Sequence, residues 1–289
     1  FFVFDIINFL VSRFKIPVVS VLGDDYIFNN RFSISPFYYL YRSMYRNKVK
    51  QLFNNNKSAI FISDRIRIKY ENEFGLKGKT IYLSSSYVRK DFKKIDLINP
   101  KIYYFGNIGL DRYLSLVDIS KALYSLNSDY IINVYSNRYS RKIINTLKRY
   151  QNIVFSESIS YAEVAKKTSE SDVILMVEGF TKNNIRSTRY SLSTKVADTL
   201  LSGSNIFAYG SRKCGMIDYL ANEDACYVCD SRIELKEALK NFFQNESLQK
   251  YYYSRSFEVY KKNHDINKNI NKTTEILKKV LSNEDCMNY

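Results

Sequence analysis

The sequence predicts an α/β protein of two successive units, each a parallel sheet flanked by helices. Three observations carry this. Short, apolar, β-rich runs alternate with helical segments along the chain. A linker around residues 93–100 divides the alternation into two sets. The stretch 190–210 reads as loop, helix start, short helix, glycine stop and buried strand. Ligands in such folds bind at the carboxyl ends of the strands, so two units in succession imply a cleft between them.

In order, Ile16–Leu22 is a β-rich run closed by Gly23-Asp24-Asp25, and Phe37–Asn54 is helical in character. Ala59–Ile62 is a buried-type strand, after which Ser63-Asp64 caps a helix running toward Phe74-Gly75. Thr80–Leu83 is a third strand, followed by the serines 84–86. The second set opens with strand Lys101–Phe105 and the loop Gly106-Asn107-Ile108-Gly109. A helix over 114–126, strand 130–135, a helix near 141–150, strand 153–155, helix 161–168 and strand 172–177 follow. After a loop over 178–192 come the helix of Lys195–Leu201 and strand Ile206–Tyr209. Strand 225–229, helices 232–243 and 248–262, and a polar helix near 266–281 close the chain.

At 289 residues and 45% hydrophobic content, the chain can build two ordinary cores. Lys and Arg number 44 against 29 Asp and Glu, a net charge of +15, which favours anionic partners. The basic residues are scattered, without the long run of a nucleic-acid-binding tail, and Lys, Asn, Ile, Tyr and Phe share A/T-rich codons. The charge therefore supports phosphate or membrane-surface contact rather than nucleic acid. Tyr251-Tyr252-Tyr253 could stack on bases, but its helical setting favours packing. Cys214, Cys226, Cys229 and Cys286 are too few for a disulfide framework. With one histidine, His264, the Cys226-Cys229 pair lacks the further ligands of a zinc site, so buried thiols and a cytoplasmic location are expected. His264 reads as a surface or packing residue. The apolar residues 1–22 are interrupted by Asp5, Arg13, Lys15 and Pro17, short of the roughly 20 apolar residues of a spanning helix. They lack the marks of a cleavable signal.

The chemistry concentrates in the second unit. A helix start near Ser193, Thr194 and Lys195 points backbone N–H groups outward, and Lys195 adds a full positive charge, which makes an anion site. Ser193 or Thr194 can cap this helix, and Asp198, one turn on, can accept from hydroxyls. Taken alone, the stretch fits a solvated amphipathic helix equally well. Gly106-Asn107-Ile108-Gly109 lets backbone approach a diphosphate, and Arg112 can reach the same anion. The loop lacks the third glycine of a dinucleotide fingerprint and reads equally as a simple turn. In the first unit, Asp24 and Asp25 follow a strand, where a carboxylate can orient or deprotonate an acceptor hydroxyl, or can simply hold a turn.

In their order, these pieces resemble the GT-B glycosyltransferases, specifically the large retaining group called family 4. The resemblance runs from Pro17 through Asp24-Asp25, Ile60–Asp64, Phe105–Gly109 and Ser193–Asp198 to Gly203, ending near Ser254, Arg255 and Phe257. It implies two Rossmann-like domains facing a cleft and transfer of a sugar, with retention, from a nucleotide-sugar donor without an essential metal. Acceptor-side residues 1–99, donor-binding residues 100–255 and a closing helical segment 256–289, packing back toward the first domain, are expected.

The resemblance places Asp198 on the donor ribose, Ser193, Thr194 and Lys195 around its diphosphate, and Gly106, Asn107, Gly109 and Arg112 in the glycine-loop site. Asp24 and Asp25 face the acceptor. Strict spacing puts the first carboxylate of the family's pair at Tyr190; Glu178, followed by Gly179-Phe180, is the alternative, separated from Asp198 by an insertion. Asn107 stands where Arg is commoner. The first domain reads as incomplete, and the chain does not begin with Met, as a truncation would leave it. The implied acceptor is a glycan or lipid-linked glycan in surface polysaccharide synthesis, at the inner face of a membrane with peripheral contact. The alternative is a non-catalytic nucleotide-binding partner or regulatory subunit of the same fold.

Overall fold

The computed structural model describes residues 2–25, 27–28, 34–54, 58–137 and 140–282; Cys286 lies outside them. The chain divides into two compact units, residues 1–83 with 263–289, and residues 84–262.

The first unit contains α1 (Phe2–Phe14), β1 (Val19–Leu22), α2 (Pro36–Asn54), β2 (Ser58–Phe61), α3 (Asp64–Phe74) and β3 (Gly78–Thr80). Its three strands are parallel in the order β1-β2-β3. The caps legible in the sequence form: Ser63 accepts from the Ile66 N–H, and Gly75 ends α3 at φ +67°. Tyr70 is the buried centre of an aromatic cluster, with the rings of Phe28, Phe53, Phe61 and Phe74 at 5.4, 5.9, 6.2 and 5.6 Å. The apolar opening, read above only as too short to span a membrane, is helix α1.

The second unit runs β4 (Ile102–Phe105), α4 (Arg112–Leu126), β5 (Ile132–Ser136), α5 (Arg141–Leu147), β6 (Ile153–Glu157), α6 (Tyr161–Glu170) and β7 (Val173–Val177). It continues through α7 (Lys182–Thr188), α8 (Lys195–Ser202), β8 (Asn205–Tyr209), α9 (Gly215–Asn222), β9 (Tyr227–Cys229), α10 (Leu235–Gln244) and α11 (Glu246–Val259). All six strands are parallel, in the order β6-β5-β4-β7-β8-β9. The chain winds outward from β4 through β5 and β6, returns to β7 beside β4, and winds outward the other way. The order therefore reverses between β4 and β7, which is where doubly wound sheets leave a crevice at their strand ends.

Strands β4, β7 and β8 are buried along their whole length, as continuous apolar runs in a two-sided parallel sheet are. On one face Ile102, Val134, Val173 and Phe207 pack with Leu116, Leu123, Leu239 and Phe242. On the other, Tyr103, Phe105 and Ile174 pack with Ile159 and Val164. The last helix, α12 (Ile266–Ser282), belongs to the first unit, where Ile276 packs with Ile60 and Ile81.

Three expectations change. The division falls at 83/84 and 262/263 rather than at 99/100 and 255/256, because residues 84–99 are tied into the second unit. There the Lys90 N–H donates to the Ser202 carbonyl at 3.0 Å, the Ile95 N–H to Gln249 Oε1 at 3.1 Å, and the Tyr260 hydroxyl to the Ser85 carbonyl at 3.0 Å. The loop expected over 178–192 contains α7, whose polar sequence hides a Thr181 cap that accepts from the Asn184 N–H. Neither Ser193 nor Thr194 caps α8 with its side chain: Thr194 already has helical dihedrals, and only the Ser193 carbonyl takes part, accepting from the Val196 N–H at 3.1 Å.

Candidate functional site

The site grows from the ends of β4 and β7. After Phe105 the chain turns through Gly106 at φ +137°, a left-handed conformation that favours glycine. A Cβ on Gly106 would lie 1.5 Å from Lys195 Nζ, so the missing side chain is what admits the ammonium group to the strand end. Lys195 is the first residue of α8, whose start carries no side-chain cap. Burial lowers its pKa to about 8, Arg112 adds to the effect, and Glu178 opposes it. A cation held below its ordinary pKa beside a helix start is a receptor for an anion.

Arg112 begins α4 and Glu178 follows β7. They form a two-pronged ion pair, Nε to Oε2 at 2.9 Å and Nη2 to Oε1 at 2.8 Å, with Glu178 3% exposed. Asn184, wholly buried on α7, adds a bond from Nδ2 to Glu178 Oε2 at 3.2 Å and another to the Leu110 carbonyl at 2.7 Å. Its Oδ1 accepts from the Gly179 N–H at 3.0 Å. Sequence reasoning missed Asn184, because nothing in Lys182-Asn183-Asn184 separates a buried hub from loop polarity.

The loop after Gly106 carries backbone strain. Leu110 and Asp111 stand at φ +52° and +64°, which non-glycine residues seldom adopt. Thr181 donates to Asp111 Oδ2 at 2.7 Å, so α7 holds this loop through Asn184 and Thr181 together. Asn107, exposed, turns its side chain back on its own loop, its Oδ1 accepting from the Gly109 N–H at 2.6 Å. The insertion that separates Glu178 from Asp198 in sequence is therefore the brace for the β4 loop.

A cavity of about 450 Å³ lies beside Gly106 and Lys195, with Asn107, Thr194 and Asp198 on its walls. Asp198 Oδ1 accepts from Ser85 Oγ at 2.5 Å and from the Tyr161 hydroxyl at 3.0 Å. Ser136, at the end of β5, also lines the cavity; its hydroxyl is buried and has no hydrogen-bond partner among the described residues.

Of the expected site residues, the fold brings Gly106, Asn107, Gly109, Arg112, Glu178, Ser193, Thr194, Lys195 and Asp198 into the second unit. Tyr190 stacks with the Arg189 guanidinium at 4.8 Å, whereas Glu178 is the carboxylate paired with Arg112. Asp24 and Asp25 lie in the first unit after β1, where Asp25 Oδ1 holds a turn by accepting from Ile27 N–H, Phe28 N–H and the Tyr70 hydroxyl. His264 is a packing residue, 1% exposed, with Nδ1 2.7 Å from the Leu83 carbonyl oxygen. Cys214, Cys226 and Cys229 are buried thiols, and burial pushes the Cys226 thiol well up. Among the described residues, no three His, Cys, Asp or Glu side chains form a metal-binding group.

No protein-family model matches the chain, and no curated protein sequence matches it significantly. Solved structures do. One is TarM from S. aureus, solved as a variant with fondaparinux, alpha-GlcNAc-glycerol and UDP: TM-score 0.65, 12% identity, 90% of this chain and 50% of that one. Another is a glycosyltransferase from Rickettsia africae: TM-score 0.63, 12% identity, 97% of this chain and 81% of that one. A third is HepE from Anabaena, solved with UDP and glucose: TM-score 0.66, 11% identity, 95% of this chain and 75% of that one. The chain spans half the length of TarM. The likeness is one of fold, that of the GT-B glycosyltransferases.

Proposed function

We propose that the chain is a glycosyltransferase that moves a sugar from a nucleotide-diphosphate donor to a glycan or lipid-linked acceptor. The observation that carries this is Lys195, its ammonium packed over Gly106 where the sheet order reverses, beside an uncapped helix start. As the bond to the donor sugar breaks, charge collects on the leaving diphosphate. Lys195, Arg112 and the first-turn N–H groups of α8, with Ser193 and Thr194 beside them, offset it. Asn107 and Gly109 shape the glycine loop, Asp198 accepts from the nucleoside hydroxyls, and Glu178 meets the sugar. That solved relatives by fold carry UDP supports a nucleotide in this cavity.

The finer parts of the proposal are retention at the anomeric carbon, charge neutralisation by the chain's own cations rather than a metal, and a role in surface polysaccharide synthesis. On the acceptor side it assigns Asp24 and Asp25. The net charge of +15 supports peripheral contact with the inner face of an anionic membrane. No helix among the described residues is long and apolar enough to cross one.

The test is a panel of UDP-, GDP- and ADP-sugars assayed for donor hydrolysis, with thermal shifts for the free diphosphates. Turnover of one donor, with weaker diphosphate binding in Lys195→Ala and Asp198→Ala, is expected. No turnover and no shift across the panel sinks the reading. A second reading, a nucleotide-binding partner without transferase activity, is favoured by one observation: both oxygens of Glu178 are engaged by Arg112 and Asn184. Nucleotide binding without sugar consumption would select it.

A further inference from the structure

The serine run 84–86, which the sequence reading left without a role, supplies one hydroxyl that is fixed on every side. The Ser85 carbonyl accepts from the Tyr260 hydroxyl at 3.0 Å. Its Oγ accepts from the Tyr87 N–H at 3.1 Å, so the hydroxyl proton is directed to Asp198 Oδ1 at 2.5 Å. Ser85 is 8% exposed, which leaves little room for another rotamer.

Tyr161 reaches the same oxygen from the opposite element. It is the first residue of α6, held by a capping box in which Ser160 and Glu163 bond reciprocally. Its ring packs 5.3 Å from that of Tyr87, and its hydroxyl donates to Asp198 Oδ1 at 3.0 Å. Burial pushes the phenol up; the Ser86 hydroxyl opposes this and Asp198 adds to it, with a net rise, so the hydroxyl stays a donor. Both donors fall on Oδ1; among the described residues, none falls on Oδ2.

We propose that Ser85 and Tyr161 are positioning residues that fix Asp198 through Oδ1, leaving Oδ2 to accept from the vicinal hydroxyls of a bound nucleoside. The proposal rests on the nucleotide reading above. A carboxylate held by one oxygen cannot rotate away, so its second oxygen meets the ligand already oriented, without the ordering cost a free side chain carries.

The experiment compares the affinities of UDP and its 2′,3′-dideoxy analogue in the wild-type chain, Ser85→Ala, Tyr161→Phe and Ser85→Thr. Each hydroxyl deletion is expected to weaken UDP about tenfold, the effect of one charge-assisted contact. Neither changes binding of the dideoxy analogue, and Ser85→Thr, which keeps the hydroxyl, restores UDP. Tyr161→Phe removes one oxygen from a half-exposed ring, so it serves if Ser85→Ala folds poorly. Equal losses for both nucleotides, or none for either, overturn the inference while leaving the nucleotide reading intact. A wild-type chain that binds neither overturns both.

Discussion

Arg112 and Glu178 are joined by two parallel hydrogen bonds, 2.9 and 2.8 Å, across the strand ends of β4 and β7 where the sheet order reverses. The pair locks the start of α4 to the end of β7, and it sets the charge that Lys195 feels from both sides. Donor chemistry and fold stability therefore share these two residues.

Arg112→Ala should cost about 3 kcal/mol, because it leaves a buried carboxylate with a single amide donor from Asn184. Combining Arg112→Met with Glu178→Leu should recover part of that loss, since the carboxylate that Arg112→Ala leaves unpaired is then gone. Urea denaturation of the two variants checks both statements. An Arg112→Ala chain as stable as wild type contradicts the role given to the pair.

Lys195 makes diphosphate binding depend on pH. Its pKa in the folded chain, about 8, lies below the ordinary 10.5. Between these values the unfolded chain binds more protons, so stability rises with pH across the window, while below it the cost of the buried charge is constant. Binding runs the opposite way: a diphosphate needs the ammonium, and above pH 8 the free protein must take up a proton first. UDP affinity should be flat from pH 7 to 8 and fall by up to about tenfold per pH unit above that. Lys195→Arg, charged throughout, should flatten the profile. A wild-type affinity independent of pH up to 9.5 would show that Lys195 does not meet the anion.

Gly106→Ala tests the close approach at the end of β4. The new methyl would sit 1.5 Å from Lys195 Nζ, on backbone at φ +137°. The lysine tip is flexible and can withdraw, but the backbone cannot relax as easily, so a loss of about 1–3 kcal/mol is expected. Diphosphate affinity should fall with it, as the displaced ammonium leaves the strand end. Calorimetric melting and UDP titration on the same preparation measure the two effects. Unchanged affinity would mean that Lys195 binds the anion from another position.

The sequence made the strands and the donor-side cluster legible for definite reasons. Ile102–Phe105, Val173–Val177 and Ile206–Tyr209 are buried on both faces, so they read as unbroken apolar runs. Ser63 and Gly75 announced both ends of α3 because caps are local chemistry. Gly106, Lys195 and Asp198 were legible as types at the ends of such elements. What stayed hidden depends on distant partners. Asn184 is one asparagine in a polar segment until Glu178, Leu110 and Gly179 close around it. Ser85 is one serine among three until Asp198, 113 residues away, accepts its hydrogen bond. The boundary misled for the same reason: the linker read around 93–100 has the composition of a connection, but the hydrogen bonds of Ser85 and Ile95 belong to the second unit.

Ser136 gives the sharpest separation of stability from binding. Its hydroxyl, 1% exposed at the end of β5, has no hydrogen-bond partner among the described residues, yet it lines the cavity. A buried hydroxyl without a partner costs roughly 1–3 kcal/mol, whereas an apolar group of similar shape in its place costs little. Ser136→Ala should therefore leave the free chain as stable as wild type or more so. If a nucleotide occupying the cavity bonds to this hydroxyl, the same substitution should weaken binding by about tenfold. Most core substitutions lower stability and affinity together, so opposite signs identify a hydroxyl kept for its ligand. Chemical denaturation without ligand and UDP titration of Ser136→Ala measure the two signs. A less stable variant with unchanged affinity would show that Ser136 serves the fold alone.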